Sequence, residues 1–367
     1  MNWEPTTSPV IAYPLWVRAA SALTAVSVFI LLAIGTLVTT FGVGMADTVW
    51  PTPPWYLLFH ERAGNFGWYV EHAHRIAGYA VGFLILLIAV TLWSYSPSRW
   101  HRRLGWLAIA LVSLGTGLGM YQVRHAPSKS AAALLNGGFA LASAGMLLGI
   151  AVTLIEGRSR FAGRWHRILA LAAFLAVIVQ GLLGGLRVYL NELSGPELAI
   201  IHGVFAQFVA AAVCSLALLS SVRWNRFTEL RTDSWIRLAS LVLLLLLLIQ
   251  IVFGGMLRHL DATWGKRLHP MLAILVLVVG AGLVWRATQT GLEHPILSRK
   301  ARSLFGMMVI QALLGVEAFV RVTDATAAHR GATYWDAAWQ SLHVWIGYGV
   351  FATSVMFAMR AWKGRLL

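Results

Sequence analysis

Apolar residues run together for about twenty positions in ten places along this chain, at about 16–41, 69–95, 102–123, 132–155, 166–187, 200–222, 235–258, 268–289, 302–322 and 341–362. A helix of that length crosses roughly 30 Å of hydrocarbon. The pattern therefore predicts an all-α polytopic membrane protein with about ten transmembrane helices. The first apolar run is too long for the core of a cleaved signal peptide, and its leader carries Glu4 but no Lys or Arg. Nothing between the runs reads as a separate soluble domain.

Polar residues interrupt this pattern most sharply at Glu71-His72-Ala73-His74-Arg75, at the mouth of the second helix. Ionisable groups are costly in hydrocarbon, so the default reading of such a knot is a functional site. The knot belongs to a repeat. The ten helices form five hairpins, and in each the first helix ends near a glycine cluster. The clearest are Gln180-Gly-Leu-Leu-Gly184-Gly185, Gln250-Ile-Val-Phe-Gly254-Gly255 and Gln311-Ala-Leu-Leu-Gly315. The second helix then carries one polar side chain in its first turns: His74, Asn136, His202, His269 and His343. The regular spacing predicts that one hairpin was multiplied, with these residues at one membrane depth. Helices 3 and 4 are the degenerate copy, with Gly115, Gly117 and Gly119 but no Gln, and with Asn136 in place of imidazole.

Four residues after each marked position the chain has Gly78, Ala140, Ala206, Ala273 and Gly347, all small. They fall one turn on, along the same helix face. Small residues there leave room for a flat macrocycle, or simply allow close helix packing. The loop Trp50-Pro51-Thr52-Pro53-Pro54-Trp55-Tyr56, continuing to His60-Glu61-Arg62, reads either as a cap over the bundle or as an interfacial anchor.

Composition agrees with a membrane class: 58% of residues are hydrophobic and 12% charged. The net charge of +15 could suggest nucleic acid, but its distribution points to no such partner. With the N-terminus in the cytoplasm, 19 of the 29 Lys and Arg fall on cytoplasmic segments and helix ends: Arg18, Arg99, Arg102, Arg103, Arg158, Arg160, Arg164, Arg167, Arg223, Arg226, Arg231, Arg237, Arg286, Arg299, Lys300, Arg302, Arg360, Lys363 and Arg365. This positive-inside bias predicts both termini inside. The single Cys214 excludes an intramolecular disulfide, a CxxC motif and covalent CxxCH haem attachment. Redox chemistry would need a bound cofactor.

Four histidines at matched depth on separate helices suit axial ligation of haem iron. Zinc or copper is less suited, because acidic and thiolate companions are scarce. Glu71 and His74 share a helix face, whereas His72 and His74 diverge. His74 is thus the ligand candidate, and His72 is expected to meet solvent, lipid headgroup or the outer loop. Glu71 is a candidate for proton exchange, or a carboxylate complementing the helix dipole. Arg75, Arg187, Arg258 and Arg321 recur at the outer rim, where they could hold haem propionates or reach to headgroups.

These motifs resemble those of the haem A synthase family. Glu71-His-Ala-His74-Arg75 is similar to that family's Glu-x-x-His-Arg motif, and Gln180-Gly-Leu-Leu-Gly-Gly-Leu-Arg187-Val188 followed by His202 to its Gln-x3-Gly…His hairpin. The pattern recurs at Gln250…His269 and Gln311…His343. Gly35-Thr-Leu-Val-Thr39-Thr40 and the loop through Trp50-Pro51 look like a worn version of its first helix and outer loop. The resemblance implies an enzyme that oxidises the C8 methyl of haem O to the formyl of haem A through successive hydroxylations, for haem-copper oxidases. Glu71 would be catalytic, one histidine pair would hold the substrate haem, and the other would hold a haem b that passes on electrons from an unspecified donor. It further implies the bacterial inner (cytoplasmic) membrane, haem sites toward the outer face, and partners among haem O synthase or oxidase assembly proteins.

Two departures qualify the resemblance. The family usually has eight helices, and it includes members with an outer-loop cysteine pair that is absent here. If helices 3 and 4 are the added pair, His74 faces His202 and His269 faces His343. If a terminal pair was added, Asn136 takes a ligand position. The first arrangement employs every histidine. It predicts an N-terminal bundle over 1–222, with the substrate-haem site and a degenerate hairpin at 102–155, and a C-terminal bundle over 235–367 with the haem b site. The competing reading is a non-catalytic di-haem b-type cytochrome for electron transfer or quinol interaction.

Overall fold

The computed structural model describes residues 13–53, 55–56, 65–126, 131–159, 163–222, 224, 231–260, 263–289, 295–323, 333–363 and 365–366. Arg160, Arg223, Arg226 and the His60-Glu61-Arg62 segment lie outside the described residues. The fold is all-α apart from one two-residue pairing, and among the described residues ten helices are long and apolar enough to cross a membrane. They are α1 (Leu15–Thr40), α2 (Phe66–Ser94), α3 (Arg99–Arg124), α4 (Gly137–Arg158), α5 (Arg164–Tyr189), α6 (Asn191–Ser220), α7 (Ser234–Leu260), α8 (Thr263–Ala287), α9 (Pro295–Thr323) and α10 (Tyr334–Lys363).

Short polar side chains start several of these helices by satisfying free backbone N–H groups. Asn65 accepts from the Trp68 amide at 2.9 Å, and Asp233 from the Ile236 amide at 2.8 Å. At α10, Thr333 and Asp336 cap reciprocally: the Asp336 amide donates to the Thr333 hydroxyl, and the Thr333 amide to the Asp336 carboxylate. This cap lies outside the apolar run, which is why α10 starts earlier than hydrophobicity predicts. Proline at the first position of α9 extends that helix in the same way.

Each hairpin packs its two helices together, and the hairpins assemble into two rings of four. In ring one the neighbours run α1, α2, α5, α6 and back to α1. In ring two they run α7, α8, α9, α10 and back to α7. The rings meet where α6 touches α7 and α10 and where α1 touches α10. Their buried apolar side chains form two clusters, one including Val81, Phe174 and Val213, the other including Leu243, Leu283 and Phe357.

Hairpin α3–α4 stands outside both rings, against α2 and α5. Its glycines bring two backbones into contact. A Cβ on Gly145 would lie 2.7 Å from the Val112 nitrogen, and one on Gly119 would lie 2.6 Å from the Phe139 ring. In hydrocarbon, where van der Waals packing replaces the hydrophobic drive, such small-residue contacts hold helices together. Leu114, Leu118, Leu147 and Leu154 on the same hairpin are exposed, as lipid-facing residues are.

At the end of the bundle where α1 starts and α10 finishes, the hairpin is pinned by charge. The fully buried Glu156 of α4 pairs with the fully buried Arg167 of α5, and His101 of α3 approaches the same carboxylate at 3.5 Å. Tyr13 packs against Tyr95 and His166 beside them, and burial pushes its hydroxyl up to about 12. A two-residue parallel pairing, Arg231–Thr232 with Arg365–Leu366, closes this end.

Candidate functional site

The other end of the bundle holds the repeated histidines, and each glycine cluster has a definite use there. The helix before each histidine presents a glycine to its ring. A Cβ on Gly35 would stand 2.9 Å from His74 Cε1, on Gly184 3.3 Å from His202 Cε1, on Gly254 3.0 Å from His269 Cε1, and on Gly315 2.9 Å from His343 Cε1. Glycine therefore makes a cradle that any side chain would fill. Lying this close to the helix, the ring reaches the carbonyl four residues before the glycine. His269 Nδ1 is 3.1 Å from the Gln250 carbonyl and His343 Nδ1 3.2 Å from the Gln311 carbonyl. The Gln180 carbonyl serves His202 in the same way. In hairpin one the Leu31 carbonyl lies beside His74, whose buried Nδ1 makes no hydrogen bond of good geometry.

A carbonyl that accepts from Nδ1–H fixes the tautomer and leaves the Nε2 lone pair as a donor. Metal-binding histidines are oriented by this kind of partner.

The repeated glutamines brace the same seats. Gln180 donates to the His202 carbonyl at 3.1 Å and Gln250 to the His269 carbonyl at 2.9 Å, while the Gln311 amide lies 3.1 Å from His343 Nδ1. The Oε1 atoms of all three are buried without a hydrogen-bond partner among the described residues. The sequence displays the glutamine repeat, but this role follows only from the folded hairpin.

Within the rings the histidines come together diagonally. His269 of α8 and His343 of α10 have ring centres 6.2 Å apart, with planes at 84°. Two imidazoles that share one metal ion, each nitrogen roughly 2 Å from it, have ring centres about 6 Å apart. In ring one His74 of α2 and His202 of α6 occupy the corresponding positions, each seated against its own glycine on α1 and α5. Among the described residues no three His, Cys, Asp or Glu side chains converge on one point. Each pair thus offers two donors, and a metal there would take its other ligands from a cofactor such as a macrocycle.

Asn136 does not share this arrangement. It is the cap of α4, accepting from the Phe139 amide at 3.0 Å and donating to the carbonyls of Gly119 and Ala133. The expected common depth fails for this copy, because α4 begins only after Asn136. The small residues a turn beyond the histidines also differ among themselves. A Cβ on Gly78 would meet open space, whereas one on Gly347 would lie 3.1 Å from the Gln311 amide. Gly347 therefore makes room for the glutamine.

Ring one carries additional machinery. After α1 the chain reverses through Gly42, at φ 64°, with Gly42 N–H donating to Thr39 and Val43 N–H to Val38. It then runs over the ring as a cap, which decides between cap and anchor for the described part of the loop. The Asp47 amide donates to Glu71 Oε2 at 2.8 Å, and Arg75 spans Glu71 Oε1 at 2.5 Å, the Asp47 carbonyl at 2.6 Å and the Val49 carbonyl at 2.8 Å. Tyr79 donates to the Thr52 carbonyl at 2.6 Å, and Arg124 of α3 to the Pro51 carbonyl at 3.0 Å. The Trp50 indole fills the space left by Gly185 and packs edge-on against Tyr189.

Glu71 is 4% exposed and Asp47 1%. Of the environments expected for His72, the loop is the one observed. Its ring is buried, stacked on Trp68 at 3.5 Å, with Nε2 3.4 Å from Asp47 Oδ2. Sequence reasoning passed over Asp47, although it is the sole acid between Glu4 and Glu61.

The rim arginines divide. Arg75 is engaged by Glu71 and the cap, and Arg321 is ion-paired with Glu317 and Asp336. Arg187 stands beside the cap, where a Cβ on Gly44 would come within 3.7 Å of its Nη1, and Arg258 crosses to α1, donating to the Thr36 carbonyl at 3.5 Å and to the Thr40 hydroxyl. A scan against protein-family models, a search of curated proteins and a search of solved structures found no match to this chain.

Proposed function

We propose that this protein is a haem A synthase-like enzyme, oxidising the C8 methyl group of haem O to the formyl group of haem A. The observation that carries the reading is the repeated imidazole seat. A glycine seats the imidazole at all four positions, and in ring two, where backbone carbonyls also reach both Nδ1 atoms, the diagonal pair stands 6.2 Å apart, so that each pair would hold one planar cofactor between two imidazoles. His74 and His202 would hold haem O, and His269 and His343 would hold haem b. Bound there, haem b would supply one-electron transfer to the substrate site.

The chain's own part is positioning and proton handling. The cap and Trp50 limit water at ring one, while Arg187 offers positive charge beside both imidazoles. Glu71, one turn before His74, is the carboxylate available to take or return a proton at the reacting group. The basic-end bias of Lys and Arg supports both termini in the cytoplasm, and with them the haem sites toward the outer face; residence in a bacterial inner membrane rests on the resemblance to haem A synthases. The donor of electrons and the oxidase assembly partners would then dock from the membrane or the aqueous faces.

One observation favours the di-haem cytochrome instead: both Glu71 oxygens are engaged in holding the cap. Mass analysis of haem extracted after expression with haem O supply separates the two. Formyl-bearing haem A supports the synthase. Haem B alone, in membranes whose two b-type sites are filled, sinks it.

A further inference from the structure

The four imidazole seats are similarly tight but not similarly bonded. Gln180, Gln250 and Gln311 each stand four residues before the seating glycine, and the amide nitrogen of each lies close to a ring nitrogen of its histidine: 3.2 Å for His202, 3.4 Å for His269 and 3.1 Å for His343. Gln180 and Gln250 also donate to their histidine's own backbone carbonyl, at 3.1 Å and 2.9 Å. The corresponding residue of hairpin one, four before Gly35, is Leu31, a half-buried side chain that packs on the apolar core and has no donor to offer. His74 Nδ1 is buried and makes no hydrogen bond of good geometry among the described residues. The space beside the helix differs as well. A Cβ on Gly347, one turn beyond His343, would lie 3.1 Å from the Gln311 amide, whereas one on Gly78, one turn beyond His74, would meet nothing within 4 Å. Gly35 approaches its ring as closely as Gly315 does, at 2.9 Å, so the steric seat is kept and only the bracing is missing.

An imidazole whose Nδ1–H is held by an acceptor is fixed in orientation and donates more strongly from Nε2. Losing such a partner typically weakens metal binding by about 10- to 100-fold. An unbraced ring also has more rotamer freedom to regain on release. Of two imidazoles on one metal, the one without the brace therefore lets go first. His74 is that imidazole in ring one. Ring two has no counterpart, since His269 and His343 keep their carbonyl partners at 3.1 Å and 3.2 Å.

We propose that ring one is the site whose porphyrin exchanges, and that His74 is the ligand that lets go, because Leu31 stands where the other three histidine-bearing hairpins carry glutamine. This deepens the haem reading and rests on it. Ring two, with both imidazoles braced, keeps its cofactor while ring one turns over. The helix that releases is α2, which also carries Glu71, Arg75 and Tyr79, the side chains bonded to the cap. Release and closure of ring one thus fall on one element, and His202, braced by Gln180, stays as the anchor.

The test takes the full chain in detergent, loaded with ferric protoporphyrin IX until no more binds, mixes it with excess apomyoglobin and follows haem transfer by the Soret band. Two phases are expected, with rates on the order of tenfold or more apart. His74→Ala should remove the fast phase. Leu31→Gln, which supplies the missing brace, should slow the fast phase by on the order of tenfold and leave the slow one as it was, while Gln311→Leu should quicken the slow one. Carbon monoxide added to the ferrous protein should bind the ring-one haem alone, and less of it in Leu31→Gln. A single rate for both haems in the unaltered protein would overturn the proposal without reference to any variant. A fast phase that survives at the same rate in His74→Ala would do so too, by placing exchange in ring two. A fast phase that Leu31→Gln leaves unchanged and Gln180→Leu quickens would overturn His74 as the releasing ligand in favour of His202. Failure of either histidine pair to take up haem would instead refute the haem reading.

Discussion

In ring two, imidazoles of α8 and α10 face each other over a seat made by Gly254, Gly315 and two glutamine carbonyls, and Asp336, at the start of α10, is occupied in capping that helix and pairing Arg321. Ring one keeps the glycines and the diagonal histidines, but it replaces one glutamine by Leu31 and adds a clamped loop, a buried Asp47 and Glu71. Three residues before the histidine stand Glu71 and Ala199 in ring one, Lys266 and Gln340 in ring two. A shared seat with different surroundings is what two cofactor sites of different duty require. On the proposed reading, one ring would only hold a cofactor and exchange electrons, whereas the other would also move protons away from bulk water.

The sharpest way to break this comparison is to remove the imidazoles singly. His74→Ala and His202→Ala are expected to abolish the same haem, and His269→Ala and His343→Ala the other, read from haem-to-protein ratio and low-temperature spectra. Loss of different haems from His74→Ala and His202→Ala would show that the diagonal pairs are not the ligand pairs. Next in size is Glu71→Gln. It keeps the side-chain shape and one accepting oxygen, while its NH2 faces the other donor of the Asp47 amide and Arg75 pair; neither contact belongs to a histidine seat, so both haems should remain. Product formation should fall by about 10²-fold or more, the range for loss of a proton-transfer group. Unchanged haem A yield would reduce Glu71 to a clamp for the loop.

The glycine seats give a graded series. At 2.9 to 3.0 Å, a methyl group on Gly35, Gly254 or Gly315 must displace its ring, whereas Gly184, at 3.3 Å, needs a smaller adjustment. Alanine at the first three should cost about 1–3 kcal/mol, seen as lowered haem occupancy at that ring alone. Gly184→Ala should be the mildest, and equal effects at all four would refute the seat as a steric device.

Much of this was legible in the chain. Ten apolar runs gave ten helices, and the spacing of His74, His202, His269 and His343 marked four equivalent positions because hairpin repetition keeps depth and face together. Asn136 misled, since an Asn at a helix start is also a good cap, and spacing does not distinguish an N-cap from an interior position. Asp47 was silent because its amide and carbonyl, groups that every residue has, make the bonds to Glu71 and Arg75, and its carboxylate meets His72 only once the loop lies over α2. The arginines looked alike in sequence and were separated only by their neighbours in space: Arg75 met an acid one turn away, while Arg187 pairs with no acid among the described residues.

Hairpin α3–α4 uses its glycines to bring helices together where the other hairpins use theirs to seat a ring. Its attachment to ring one depends on charge at one end. Glu156→Gln would leave Arg167 buried without its counter-ion, at a cost of about 3–5 kcal/mol. The expected result is a lower thermal midpoint and faster proteolysis of the hairpin with haem ratios intact, and haem loss would mean that the hairpin is part of a cofactor site.

The smallest effect belongs to the opposite attachment. Arg124→Ala deletes one hydrogen bond to the Pro51 carbonyl, about 0.5–1.5 kcal/mol by itself. The cap retains its bonds to Glu71, Arg75 and Tyr79, so it should stay folded and merely open more often. Hydrogen exchange at the Asp47 amide, which is bonded to Glu71, should therefore quicken by about threefold to tenfold, following from that energy. Exchange in ring two should not change. A matching acceleration there would mean that the added hairpin braces the whole bundle, and the distinction between a capped and an uncapped ring would lose its structural basis.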